Sequence, residues 1–154
     1  MDYLDLSTEL LNDAQNIYGY NSDIPLQYRI IAALNRKHDY CNAKKFIDTN
    51  KAYFQDEYAY LLLDSAIEMC LDIVIDTNGM LYNDEINMSK GQIYKPTPDT
   101  LEYIEYLLQN GANPYLPEHF NQIEHIEELE DDSFWQVGFQ FDCSEIKKLF
   151  EKYY

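Results

Sequence analysis

The stretch that constrains this chain most is Thr97 to Leu116, TPDTLEYIEYLLQNGANPYL. Thr97 is a good N-cap, and Pro98 at the first helical position costs nothing because its missing amide would be unpaired there anyway. Leu101, Ile104, Leu107 and Leu108 fall on one helical face, with Glu102, Glu105 and Gln109 turned away. Gly111 stands where a helix ends in a left-handed residue, and Pro114 keeps the chain from resuming it. A one-sided helix of this kind must bury its apolar stripe against another element, so the chain has to supply partners for it.

The rest of the sequence does so with more short amphipathic segments. Residues 3–18 read as a helix through Leu4, Leu6, Leu10, Leu11, Ala14 and Ile17. Ile24-Pro25-Leu26 opens a second, with Asp23 as its cap and Ile30, Ile31, Ala33 and Leu34 inside. A third spans Cys41–Thr49, with Phe46 and Ile47 apolar and Asn50 suited to a left-handed end. Tyr58–Ile75 reads as the longest helix, with Asp64, Glu68, Asp72 and Asp76 forming an acidic ridge every four residues. Such a ridge serves either as the wet side of a core helix or as a binding edge. Val74 and Ile75 are β-branched and blur where it ends. Thr77–Pro96 is a polar insertion in which a small β-hairpin is expected. Beyond it, residues 119–130 form a helix through Phe120, Ile123, Ile126 and Leu129, and Phe134–Phe141 an extended, bulged segment. Ser144–Tyr153 closes with Ile146, Leu149 and Phe150 inside and Lys147, Lys148 and Lys152 outside.

The run Leu101–Pro114, LEYIEYLLQNGANP, closely resembles the second helix and following turn of an ankyrin repeat. Phe46-Ile47, Leu107-Leu108 and Leu149-Phe150 overlay as helix ends, but more widely than the roughly 33 residues of an ankyrin unit. The long connectors 77–96 and 131–142 would account for the excess. Pro25-Leu26-Gln27 stands where the family opens a repeat with Thr-Pro-Leu-His, without its Thr and His, and Asn113 replaces the common Asp. The resemblance implies one mostly α domain over residues 1–154, a degenerate ankyrin-like solenoid of stacked antiparallel helical hairpins. A plain helical bundle is the alternative.

Charge bears on partners. The 154 residues carry a net charge of −17 at pH 7, yet 46% are hydrophobic, so the chain is not a disordered acidic tail. Six of the 11 basic residues crowd into 29–51, while 52–154 hold 21 acids against five lysines. Such a field repels nucleic acid and anionic membranes and speeds encounter with a basic protein; it also serves plain solubility. Fifteen tyrosines suit both thin cores and binding surfaces. Cys41, Cys70 and Cys143 are odd in number and without a C-x-x-C pair, which fits reduced thiols and a cytoplasmic location. The start, MDYLDLSTEL, is acidic where a secretory leader is basic, and the apolar run 58–75 is broken by acids, so no membrane span is expected.

Motifs for chemistry are scarce. No Gly-rich phosphate loop or nucleophile elbow occurs, and Asp76-Thr77-Asn78-Gly79 lacks the spacing of a calcium loop. His119, Glu124, His125 and Glu128 read as surface residues rather than metal ligands, and Cys41 near His38 as a buried small residue rather than a nucleophile. The expectation is a binding protein, not an enzyme, with no cofactor and no metal. The hydrolase alternative would rest on Asp64 and Glu68.

The candidate partner site is the acid-rich run with the aromatic pair after it: Glu124, Glu127, Glu128, Glu130, Asp131, Asp132, Phe134 and Trp135. Acids set the encounter rate and a buried aromatic supplies short-range energy; equally, Phe134 and Trp135 could cover the last piece of core. Compact, strongly acidic chains of this character resemble immunity proteins that neutralise nuclease toxins, some of them ankyrin-like. That resemblance implies occlusion of a basic, nuclease-type toxin. An acidic nucleic-acid mimic that inhibits a host defence nuclease, or a generic ankyrin-like interaction module, is the alternative.

Overall fold

A computed structural model describes residues 1–3, 5–17, 23–68, 74–75, 81–82, 93–119, 121–130 and 140–154, with the short strands and Leu129 as backbone only. The described chain is mostly helical. Its elements are α1 (Thr8–Asn16), α2 (Leu26–Arg36), α3 (Tyr40–Thr49), a 3-10 turn (Lys51–Phe54), α4 (Leu61–Glu68), α5 (Pro98–Gln109), α6 (Gln122–Glu130) and α7 (Ser144–Tyr153). Four two-residue strands are interspersed: β1 (Val74–Ile75), β2 (Leu81–Tyr82), β3 (Ile93–Tyr94) and β4 (Gln140–Phe141). No described helix is long and apolar enough to cross a membrane.

Helix α2 is the hub. Its sequence buries Tyr28, Ile30, Ile31, Ala32, Ala33 and Leu34, and α1, α3, α4 and the 3-10 turn all pack on it. Helix α4 then carries α5 and α6, α5 carries α7, and α3 reaches across to α5. Full burial of an Ile or Leu contributes on the order of 1.5–3 kcal/mol. The clustering of Ile30, Ile31, Leu34, Leu63, Ile67, Ile104 and Leu107 is therefore what holds these short helices, none of which is stable alone.

Tyrosines sew the layers together. The Tyr40 ring stacks on Tyr103 at 4.5 Å, and its hydroxyl lies 2.9 Å from Thr100 Oγ1, joining α3 to α5. The Tyr106 hydroxyl donates to Asp48 Oδ1 at 2.6 Å, with the Lys44 carbonyl 3.1 Å away, a second tie between the same helices. Between α2 and α4, Asn35 Nδ2 donates to Ser65 Oγ at 2.7 Å inside the core. The rings supply apolar area, while the hydroxyls of Tyr40 and Tyr106 find polar partners on the neighbouring helix.

Helix ends follow local rules. Ser7 Oγ accepts from the Leu10 amide, Asp39 from the Asn42 amide and Thr97 from the Thr100 amide, each an N-cap. Helix α5 ends as expected: Gly111 has φ +93°, its amide donates to the Leu108 carbonyl, and the Ala112 amide donates to that of Leu107. That is a Schellman motif. Helix α2 ends in the same motif with His38 in the glycine position, at φ +54°, which the sequence had not suggested.

Several expectations are corrected. The helix expected over Tyr58–Ile75 is α4 alone, Leu61–Glu68, because Val74 and Ile75 are extended and pair antiparallel with Tyr82 and Leu81. The acidic ridge is broken accordingly: Asp64 is half-buried, and Asp72 and Asp76 lie outside the described residues. No hairpin closes within 77–96 among the described residues. Its two described pieces pair outward, β2 with β1 and β3 in parallel with β4. Asn50 is not left-handed but sits at φ −119°. Its buried amide instead clamps the chain start, accepting from the Asp2 amide at 2.7 Å and donating to the Asp2 carbonyl at 3.1 Å. Asp23 does not cap α2; Pro25 holds that position without a side-chain bond. Helix α1 starts only at Thr8. Cys41 is exposed rather than buried, on the outer side of α3. Cys70 lies outside the described residues.

Candidate partner-binding surface

Helix α6 sorts its acids by its own periodicity. Asn121 Oδ1 accepts from the Glu124 amide and starts the helix; Gln122 and Ile126 turn fully inward. Glu124, Glu127 and Glu128 then share the opposite side at i, i+3 and i+4, all exposed. None of the three forms an ion pair among the described residues. Like charges at these spacings repel, so α6 holds an electrostatic strain that a cationic surface would relieve.

Glu130 is different. Four residues after Ile126, it is carried to the core side, where Oε2 accepts from the Cys143 amide at 3.3 Å and Oε1 takes the Lys147 ammonium. It ties α6 to the start of α7, satisfying an amide that has no partner inside the helix. The hydrogen bond that Lys147 donates to Glu130 holds the lysine's pKa above its ordinary value. Burial, with Glu130 adding to it, pushes the Cys143 thiol up to about 12. Of the eight residues expected at the site, three therefore form an open acidic face and Glu130 is engaged within the fold. Asp131, Asp132, Phe134 and Trp135 lie outside the described residues.

His125 turns from the face to α4. Its Nδ1 lies 3.4 Å from Asp64 Oδ1 and 3.2 Å from Gln122 Oε1, in a largely enclosed position. Asp64 thus meets an imidazole rather than a second carboxylate. No sequence signal pairs residues so far apart; only the packing of α6 on α4 brings them together. His119 is exposed, and among the described residues no group of three His, Cys, Asp or Glu side chains is placed to hold a metal ion. His38 Nδ1 lies 2.9 Å from the Tyr40 hydroxyl.

The basic residues sharpen the acidic face. Lys37 pairs with Asp13, Lys44 with Glu102, Lys95 with Asp142, Lys147 with Glu130, Lys148 with Glu145 and Lys152 with Glu105. Among the described residues six of the 11 cations are thereby paired within the fold, and on α6 the one lysine in reach, Lys147, is taken by Glu130, so the outer acids of that helix keep most of their charge.

Compared with protein-family models, curated proteins and solved structures, the chain matches none.

Proposed function

We propose that this is a binding protein that occludes a basic partner, acting as an immunity protein acts on a nuclease-type toxin, from a scaffold of stacked, ankyrin-like helical hairpins. The observation that carries the reading is the exposed triad Glu124, Glu127 and Glu128, standing together on α6 with no ion pair among the described residues while neighbouring acids are matched by lysines. Carboxylates so arranged pair with the Lys and Arg side chains that a nuclease uses to hold phosphate, and so compete with its substrate. A net charge of −17 adds long-range attraction that accelerates encounter. The partner site extends along the chain from this triad to Asp131, Asp132, Phe134 and Trp135.

The test compares the parent with Glu124→Gln/Glu127→Gln/Glu128→Gln as immobilised bait for proteins of the native host at low salt. A basic protein held by the parent and released by the variant, whose nuclease activity falls to nothing at equimolar parent, is the expected result. Retention of the same proteins by both baits would reduce the acidic face to a solubility device.

A further inference from the structure

A second exposed feature lies in the turn that follows α5, and it is apolar. Tyr115, Leu116 and Tyr154 are 41%, 51% and 51% exposed, three of the five large hydrophobic side chains left in water among the described residues. The Tyr115 and Tyr154 rings meet edge to face at 6.2 Å, so the turn after α5 and the end of α7 form one continuous patch. The turn that presents it is held firmly. Gly111 sets its direction, Asn113 Oδ1 accepts from the Tyr115 amide at 2.9 Å, and the Pro114 carbonyl accepts from the Gln122 amide at 2.8 Å. Pro114 is buried beneath it. A turn with this much internal bonding keeps its apolar side chains outward instead of letting them collapse onto the core.

Acids stand beside the patch along the chain. Glu118 lies two residues beyond Leu116, and Glu151 lies one helical turn before Tyr154; both are exposed, with no ion pair among the described residues. The lysines of α7 are spoken for by Glu130, Glu145 and Glu105. Two tyrosine faces flanked by free carboxylates suit an arginine or lysine whose stem lies on the rings while its head reaches an acid.

We infer that Tyr115, Leu116 and Tyr154 form the docking patch for an arginine- and leucine-bearing segment of the basic partner, supplying the short-range hold that the α6 carboxylates lack. This rests on the basic-partner reading above. Division of labour follows: the α6 triad governs how fast the partner arrives, and the tyrosine patch governs how slowly it leaves.

The probe is a short capped peptide of alternating arginine and leucine, titrated into the isotope-labelled protein and followed by amide chemical shifts. Saturable shifts at Tyr115, Leu116 and Tyr154 are expected. Affinity should drop at least about tenfold in Tyr115→Ala/Leu116→Ala/Tyr154→Ala with its circular dichroism unchanged. Leu116→Lys, a single change at an exposed position, should weaken binding comparably through repulsion. Shifts confined to α6 would overturn the patch and leave the basic-partner reading standing. No saturable shift anywhere would sink both. Self-association of the parent that the triple variant abolishes would make a second copy of the chain the occupant, and would equally overturn the proposal.

Discussion

Gly111 and His38 occupy the same position in the same kind of helix end, and only one of them could be read from the sequence. Glycine adopts φ +93° without penalty and is the usual signal for such an end; histidine at φ +54° is held there by the bonds that close α2 and by its contact with Tyr40. A methyl group added at Gly111 would meet nothing within 4 Å, so the cost of Gly111→Ala is purely the backbone's. It should lower stability by about 1 kcal/mol in urea melts; no loss would show that the turn relaxes. The two described cysteines should separate cleanly as well. Cys41 is exposed and should alkylate in the folded protein. Cys143 is fully buried with its thiol pushed up to about 12, and should react only on unfolding. Mass spectrometry after brief iodoacetamide treatment checks this, and equal labelling of both would contradict the burial.

Elements were legible in the sequence where the information was local. Helix α5 has the expected span because its cap, periodicity and breaker are all local, and α7 because its apolar periodicity is strong over Ile146, Leu149 and Phe150. Helix α4 was overextended because its apolar pattern runs on past Glu68, while the pairing that makes Val74 and Ile75 extended comes from Leu81 and Tyr82. The candidate site divides in the same way. Exposure of Glu124, Glu127 and Glu128 follows from helical periodicity, but the capture of Glu130 by Lys147 depends on how α6 meets α7. Pairing between helices should also show in pH dependence. Glu105 on α5 accepts from Lys152 and from the Tyr153 hydroxyl on α7, and these bonds hold its carboxyl below the ordinary value of 4.5. A depressed carboxylate contributes stability above its unfolded pKa and loses it as pH falls through the folded one. The stability difference between parent and Glu105→Gln should therefore be constant near neutrality and shrink on acidification below 4.5. Urea melts across that range measure it, and a difference independent of pH would mean that the carboxylate's charge contributes nothing.

At the scale of the whole molecule, the charge of −17 opposes the compact state. Added salt screens repulsion between exposed charges over roughly 8–10 Å, so the parent's melting temperature should rise between low and physiological ionic strength. Glu124→Gln/Glu127→Gln/Glu128→Gln should melt higher than the parent at low salt, and the gap should close as salt is added. A variant that melts lower would mean that the triad is compensated by a contact with residues outside those described.

The parallel ladder of β3 with β4 places a strand-then-helix segment, β3 into α5, beside a second of the same form, β4 into α7. Their helices touch as their strands do, through pairs such as Glu105 with Lys152, 47 residues apart along the chain. Closing so wide a loop costs entropy before any contact rewards it, whereas α1, α2 and α3 meet through near neighbours in sequence. The amino-terminal trio around α2 is therefore expected to assemble before α7 docks on α5, an order that pulse-labelling hydrogen exchange during refolding would check. During synthesis the surface of α5 waits, uncovered, until α7 emerges.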